Sequence, residues 1–144
     1  MEWMTLPLKR YAEFGGRSRR KEYWMFFLLM LILGVVAGTI DTMLGYGTTW
    51  RSVAGTGYGF GWATHNGPVE IVLTLALLIP NLAVTIRRLH DLDKSGWWLL
   101  TLFVPLIGAI VLIVFMCIEG TRGANRFGPD PLASERAEIP EAFR

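Results

Sequence analysis

Three long apolar stretches separated by short polar ones set the pattern of this chain. The first runs from Tyr23 to Ile40 (YWMFFLLMLILGVVAGTI), carries no charge and ends at Asp41. At 1.5 Å per residue a helix of that length covers about 27 Å of a hydrocarbon core about 30 Å thick. A transmembrane helix over 23–44 is therefore predicted. A cleaved signal peptide has a shorter apolar region, about 7 to 15 residues, followed by a small-residue cleavage site. This run is longer and follows the charged segment 1–22, so it reads as an uncleaved anchor.

The second stretch, Val69 to Ile86, is interrupted by Pro80 and Asn81. It predicts a helix over 69–88 with a kink near Leu77 to Pro80, because proline removes a backbone donor and crowds the preceding turn. Pro80 and Asn81 read either as a packing kink with one interhelical hydrogen bond or as a hinge or polar point in a pathway. The third stretch, Trp97 to Ile118, contains Pro105 and Gly108. It predicts a helix over 97–118, long enough to cross with some tilt. The alternative is a break at Pro105 to Gly108 into two half-helices that enter and leave on one side.

The fold class expected is an all-α integral membrane protein with three transmembrane helices, the third with a re-entrant alternative. Ahead of the helices, Trp3, Met4, Leu6, Leu8, Tyr11 and Phe14 mix with Lys9 and Arg10 in the N-terminal segment 1–22. That mixture predicts a short amphipathic helix on the membrane, interrupted by Pro7 and ended by Gly15 and Gly16, with an irregular tail as the competing reading. Ser18 and Ser95 are placed as N-caps. The loop 45–68 alternates glycine with Tyr58, Phe60 and Trp62. It reads as a flexible loop whose aromatics dip into the interface, or as a contact patch for a partner, and it lacks any phosphate-loop motif.

Composition agrees with the pattern. Of 144 residues, 52% are hydrophobic and 18% charged, with a mean hydropathy of +0.39. Soluble domains carry about 25% charged residues, and the length leaves no room beside three spans for a separate catalytic domain. A single membrane domain over 1–144 follows. Fourteen basic against twelve acidic residues, with no basic stripe, excludes a nucleic-acid binder. The single Cys117 rules out an internal disulfide and is expected as a buried structural thiol.

Six basic residues precede the first helix, one (Arg51) follows it, three lie between the second and third, and four lie in the tail 119–144. With three crossings and a cytoplasmic N-terminus, nine face inside and five outside; a re-entrant third segment makes this thirteen and one. The N-terminus is predicted cytoplasmic either way. Tyr23–Trp24 and Trp97–Trp98 mark interfaces.

The densest polar stretch is the loop 89–96 with the end of the helix before it, Arg87-Arg88-Leu89-His90-Asp91-Leu92-Asp93-Lys94. Arg87, Arg88 and Lys94, with Arg17, Arg19, Arg20 and Lys21, form a candidate surface for anionic lipid or a membrane partner. The plainer reading is topological: the charges hold helices in place, and Asp91 or Asp93 neutralises a neighbour. His90 is expected as a hydrogen-bonded structural histidine. With only His65 elsewhere, no metal site is expected. No nucleophile, base and orienting group recur at a suggestive spacing, so neither enzyme activity nor a cofactor is expected. Asp41 and Glu70, both at helix ends, are expected to face each other. Gly34 and Gly38 (GVVAG) form a helix-packing face that suits a second copy of the chain or a neighbouring helix.

Three stretches, FGGRSRRKEYWMF, IPNLAVTIRRLHDLDKSGWWLL and PLIGAIVLIVFMCIEGTRGANRFGPDP, together resemble the bacterial domain of unknown function 805 family, the YhaH-like small inner membrane proteins. The resemblance covers most of the chain in order, although the loop Gly45 to Gly67 is longer than the pattern suggests. It implies a multi-pass bacterial inner membrane protein and no substrate. It also implies that Arg17, Arg20, Arg87, Arg88, His90, Asp91, Gly96, Asn125 and Gly128 share a cytoplasmic-side arrangement. That arrangement pulls the tail inside and so favours the re-entrant alternative. The function expected is non-enzymatic, through contacts with membrane lipids, anionic ones in particular, or with another membrane protein. The runner-up is a small homo-oligomeric channel or transporter using Gly34, Gly38 and Asn81.

Overall fold

The computed structural model describes residues 2–46, 49–52, 61–64 and 67–133, with backbone alone at 2, 49–52 and 61–64. Four α-helices are described: α1 (Glu2–Lys9), α2 (Arg20–Met43), α3 (Pro68–Asp91) and α4 (Ile107–Cys117). A 3-10 helix, Gly96–Phe103, precedes α4. α2 and α3 match the first two predicted spans, each 24 residues and about 36 Å long. Both are apolar enough to cross a bilayer. Pro80 lies inside α3, which runs through it without interruption.

Two expectations about elements change. The N-terminal helix runs through Pro7, which is fully buried, and stops at Lys9 rather than at Gly15. The all-α expectation also gives way locally. Strands β1 (Thr49–Ser52) and β2 (Gly61–Thr64) form an antiparallel pair with Thr49 opposite Thr64 and Ser52 opposite Gly61. Thr and Trp suit a pleated strand, and the backbone ladder needs no apolar period to form. Tyr58, Phe60 and His65 lie outside the described residues.

The third stretch is not one helix over 97–118. After Phe103 the chain turns at Val104–Leu106 and begins α4 at Ile107. Leu106 has φ 67° and ψ −57°, and the Ile107 N–H donates to the Pro105 carbonyl at 2.8 Å, closing a three-residue γ-turn of the strained hand. The two arms lie against each other. A Cβ on Gly108 would overlap the Thr101 carbonyl, so only glycine allows this approach. Pro105 favours the turn, because it has no N–H to bond back into the preceding helical turn.

The chain divides into two compact units. One comprises residues 1–27 and 79–144, with a core of Leu89, Leu112 and Met116 backed by Tyr23, Leu99 and Phe115. The other comprises residues 28–78. There the buried Asp41 carboxylate accepts the Val69 N–H at 3.1 Å and the Glu70 N–H at 2.9 Å, capping α3. Asp41 and Glu70 thus meet, as expected, but through the Glu70 backbone. Gly67 lies so close that a Cβ would overlap the Asp41 carboxylate.

Large apolar side chains are exposed along both long helices and around the hairpin, including Val35, Val72, Phe103 and Leu106. A water-facing surface does not tolerate so continuous an apolar face; a lipid-facing one requires it.

Candidate functional site

The last turn of α3 places Arg88 and Asp91 three residues apart on one helix face. The helix then closes with paired bonds: Lys94 N–H to the Leu89 carbonyl at 2.9 Å and Asp93 N–H to the His90 carbonyl at 3.0 Å. Asp93 takes the left-handed position, φ 56°, usually given to glycine. This sharp stop directs the chain into Ser95, whose hydroxyl accepts the Trp97 N–H as the expected cap.

Asp91 is the centre of the site. Its Oδ1 accepts from Arg17 Nε at 2.9 Å and its Oδ2 from Arg88 Nη1, and all three side chains are buried. Other guanidinium donors go to backbone carbonyls, although the buried Arg88 Nε has no partner among the described residues. Arg17 reaches Thr121 and, at 2.6 Å, Gly123; Arg88 reaches Ile118 and, at 3.3 Å, Phe115. Arg20 adds a hydrogen bond to the Cys117 carbonyl at 3.2 Å. The carbonyls left open at the end of α4 are therefore met by cations, where the helix dipole favours positive charge.

The tail closes over this cluster. Thr121 donates its N–H to the Asp91 carbonyl at 2.8 Å, and a Cβ on Gly120 would overlap the Asp91 carboxylate. Asn125 Nδ2 donates to the His90 carbonyl at 2.9 Å, and Phe127 stacks on the His90 ring at 3.8 Å. His90 Nδ1 lies 3.3 Å from the Gly16 carbonyl, which makes it the structural histidine expected. The far end of the segment 96–118 thus returns to Asp91, five residues before the segment begins. Beside them Arg87 pairs with Glu22 at 3.3 Å, with both side chains buried, and its carbonyl accepts the Ser18 N–H at 3.1 Å. Ser18 does not cap α2: its buried hydroxyl has no partner among the described residues.

The expected lipid-facing surface is therefore corrected. Arg17, Arg87, Arg88 and Asp91 are interior, each beside an opposite charge, with Arg87 Nη1 and Nη2 left without a hydrogen-bond partner among the described residues. Arg20 and Lys21 are exposed, and Arg19 and Lys94 are half-buried. Arg19 and Lys21 lie over the Trp3 ring, and Lys94 lies over Trp98. Asp93 neutralises Arg126 at 3.1 Å on the surface. The set Arg17, Arg20, Arg88, His90, Asp91, Asn125 and Gly128 is brought together, with Gly96 packed on Ile86 nearby. Sequence reasoning passed over Glu22, Gly120, Thr121 and Phe127. Glu22 left a signal: the one acid in the first turn of α2, immediately before its uncharged run.

Gly34, in α2, has nothing within 4 Å of where a Cβ would sit. Pro80 is buried. The Asn81 side chain makes no interhelical hydrogen bond among the described residues; its carbonyl accepts from Thr85 Oγ1 at 2.7 Å. Cys117 is exposed at the end of α4, not buried.

A family model described as "Protein of unknown function (DUF805)" matches residues 11–129. "Inner membrane protein YhaH" of Escherichia coli (strain K12) is 44% identical over 131 residues, covering 91% of this chain and 97% of the relative. "Inner membrane protein YhaI" of the same strain is also 44% identical over 131 residues, covering 91% and 96%. No solved structure matches the chain.

Proposed function

The chain belongs to the family of unknown function DUF805, and from that premise we propose that it is a non-enzymatic, multi-pass inner membrane protein acting through contacts with anionic lipid. α2 and α3 cross the bilayer, and the hairpin of the 3-10 helix and α4 enters and leaves from the cytoplasmic side. The observation that supports this topology is that the chain leaving α4 comes back to the end of α3, where Thr121 donates its N–H to the Asp91 carbonyl and the Ile118 carbonyl accepts from Arg88. α4 is 11 residues, about 17 Å, well short of a hydrocarbon core of about 30 Å. Of fourteen basic residues only Arg51 lies between α2 and α3, so the topology leaves thirteen on the cytoplasmic side. The lipid contact is assigned to the exposed Arg20 and Lys21 and the half-buried Arg19 and Lys94, with the buried arginines as their frame.

Single-cysteine labelling tests the topology. In a Cys117→Ser background, a membrane-impermeant maleimide added to spheroplasts should label Tyr46→Cys and spare Glu13→Cys and Ala124→Cys. Labelling of Ala124→Cys would restore three crossings. Lipids released with the protein from mixed anionic and zwitterionic nanodiscs test the contact: anionic lipid should be enriched and the enrichment lost in Lys21→Gln/Lys94→Gln.

A homo-oligomeric channel is the second reading, favoured by the open Gly34 face. Gly34, Gly38 and Glu70 line a groove of about 570 Å³ there, a surface on which a second helix would seat. Proteoliposomes that show no flux would remove it.

A further inference from the structure

Within the unit formed by 1–27 and 79–144, a cavity of about 400 Å³ opens between α2, α3 and the hairpin. Its walls are apolar and aromatic: Trp24 and Phe27 on one side, Leu102, Leu112 and Ile113 on the other. Asn81 also lines it. Its carboxamide has no protein partner among the described residues, although it sits about 10 Å, seven residues, along α3 from Arg88. An amide at hydrocarbon depth is costly unless something accepts or donates to it. The cavity suits an occupant that is mostly apolar and carries a polar atom beside Asn81.

The polar end of the cavity says more. Arg20 stands one helical turn before the lining residues Tyr23 and Trp24, and donates to the carbonyl of Cys117, next to the lining residue Met116. It is exposed and engages only this one carbonyl among the described residues, so most of its guanidinium donors face outward. A cation at the rim, an amide among the lining side chains and apolar walls present the three kinds of group that suit a phospholipid: phosphate, acyl ester, chain.

We propose that this cavity holds one anionic glycerophospholipid, with its phosphate on Arg20, an ester carbonyl on the Asn81 carboxamide and an acyl chain along Leu102 and Ile113. This rests on the reading that the chain works through anionic lipid, and adds a single defined site to it. The site differs from the annular contacts of Lys21 and Lys94 in being walled on three sides.

Native mass spectrometry of protein released from phosphatidylglycerol–phosphatidylcholine nanodiscs tests it. The wild-type chain should keep one phosphatidylglycerol at collision energies that strip all others. Ala109→Trp, which fills the cavity from its lining, should lose that lipid while the overall enrichment of anionic lipid persists. Arg20→Gln should lower the preference for phosphatidylglycerol over phosphatidylcholine at least tenfold, and Arg20→Lys should retain most of it. Asn81→Leu should shorten retention without changing headgroup preference. Retention of the tight lipid by a folded Ala109→Trp variant overturns the proposal, as does a wild-type chain with anionic enrichment and no single tight lipid. Absence of any anionic enrichment sinks the broader reading instead. A tight lipid bound without headgroup preference overturns the assignment of Arg20. Melting temperatures of each variant in the same detergent separate loss of the site from loss of the fold.

Discussion

Arg17 and Asp91 stand 74 residues apart in the chain and 2.9 Å apart in the fold, both buried. Asp91 is the only acid within reach of two interior arginines, Arg17 and Arg88, among the described residues. Replacing it by Asn leaves both guanidinium groups short of charge compensation, a loss of about 3–5 kcal/mol. Asp93→Asn removes an exposed partner of Arg126 and should cost about 0–1 kcal/mol. Thermal unfolding of the two variants in one detergent checks the contrast; equal losses would show that Asp91 does not hold the cluster.

Two glycines predict opposite outcomes. Gly108→Ala drives a methyl into the Thr101 carbonyl and should cost about 1–3 kcal/mol, with the hairpin opening first. Gly34→Ala meets open space and should gain about 0.5–1 kcal/mol from helix propensity. Melting temperature measures both; a destabilised Gly34→Ala would show that a partner helix occupies that face.

Leu106 holds a positive φ in a sparsely populated backbone region, which costs a side-chain-bearing residue about 1–3 kcal/mol. Leu106→Gly should raise the melting temperature, offset in part by glycine's larger unfolded freedom of about 0.5–1 kcal/mol. Leu106→Val should lower it, since a branched Cβ fits that backbone less well. The reverse order would mean that apolar contact at the tip outweighs backbone strain.

Asp41→Ala should cost about 0.5–2 kcal/mol, because two N–H groups at the start of α3 lose their acceptor. Asp41→Asn keeps an oxygen in place and should recover most of it. Amide exchange at Val69 and Glu70 gives the local readout: faster in the alanine variant, near wild type in the asparagine variant.

Arg10 donates to both oxygens of Glu13, which holds the Glu13 carboxyl below its ordinary range. A lowered folded value means that the contribution is present above the unfolded pKa and is lost as pH falls through the folded one. The pair is exposed, so the effect is small. The stability difference between wild type and Glu13→Gln should be visible at pH 7 and vanish toward pH 3; a difference that grows in acid contradicts the pairing.

Much of the fold was legible along the chain. An uncharged run such as Tyr23 to Ile40 has one stable conformation in lipid, because a helix satisfies every backbone group within the segment. Charge placement marked the polar end, and Ser95 marked the start of the hairpin. The break at Pro105 was visible as an alternative, but proline does not say which way the chain leaves a turn. That depended on Gly108 letting the Thr101 carbonyl approach, a contact between two arms.

The site was legible in its residues and not in its role. Arg17, Arg87, Arg88 and Asp91 stood out as charges beside apolar helices, and local pattern cannot tell a guanidinium that faces headgroups from one that faces a carboxylate. The sequence by itself determined the apolar helices, the location of the charge and the family, since each is set by residues near one another or by their order. Only the tertiary structure decided that Asp91 would gather arginines from two distant segments and that the tail would return to cover it. Those pairings depend on closing chain segments of about 30 to 74 residues, and the stabilisation that repays burying the charges exists only once the segments meet.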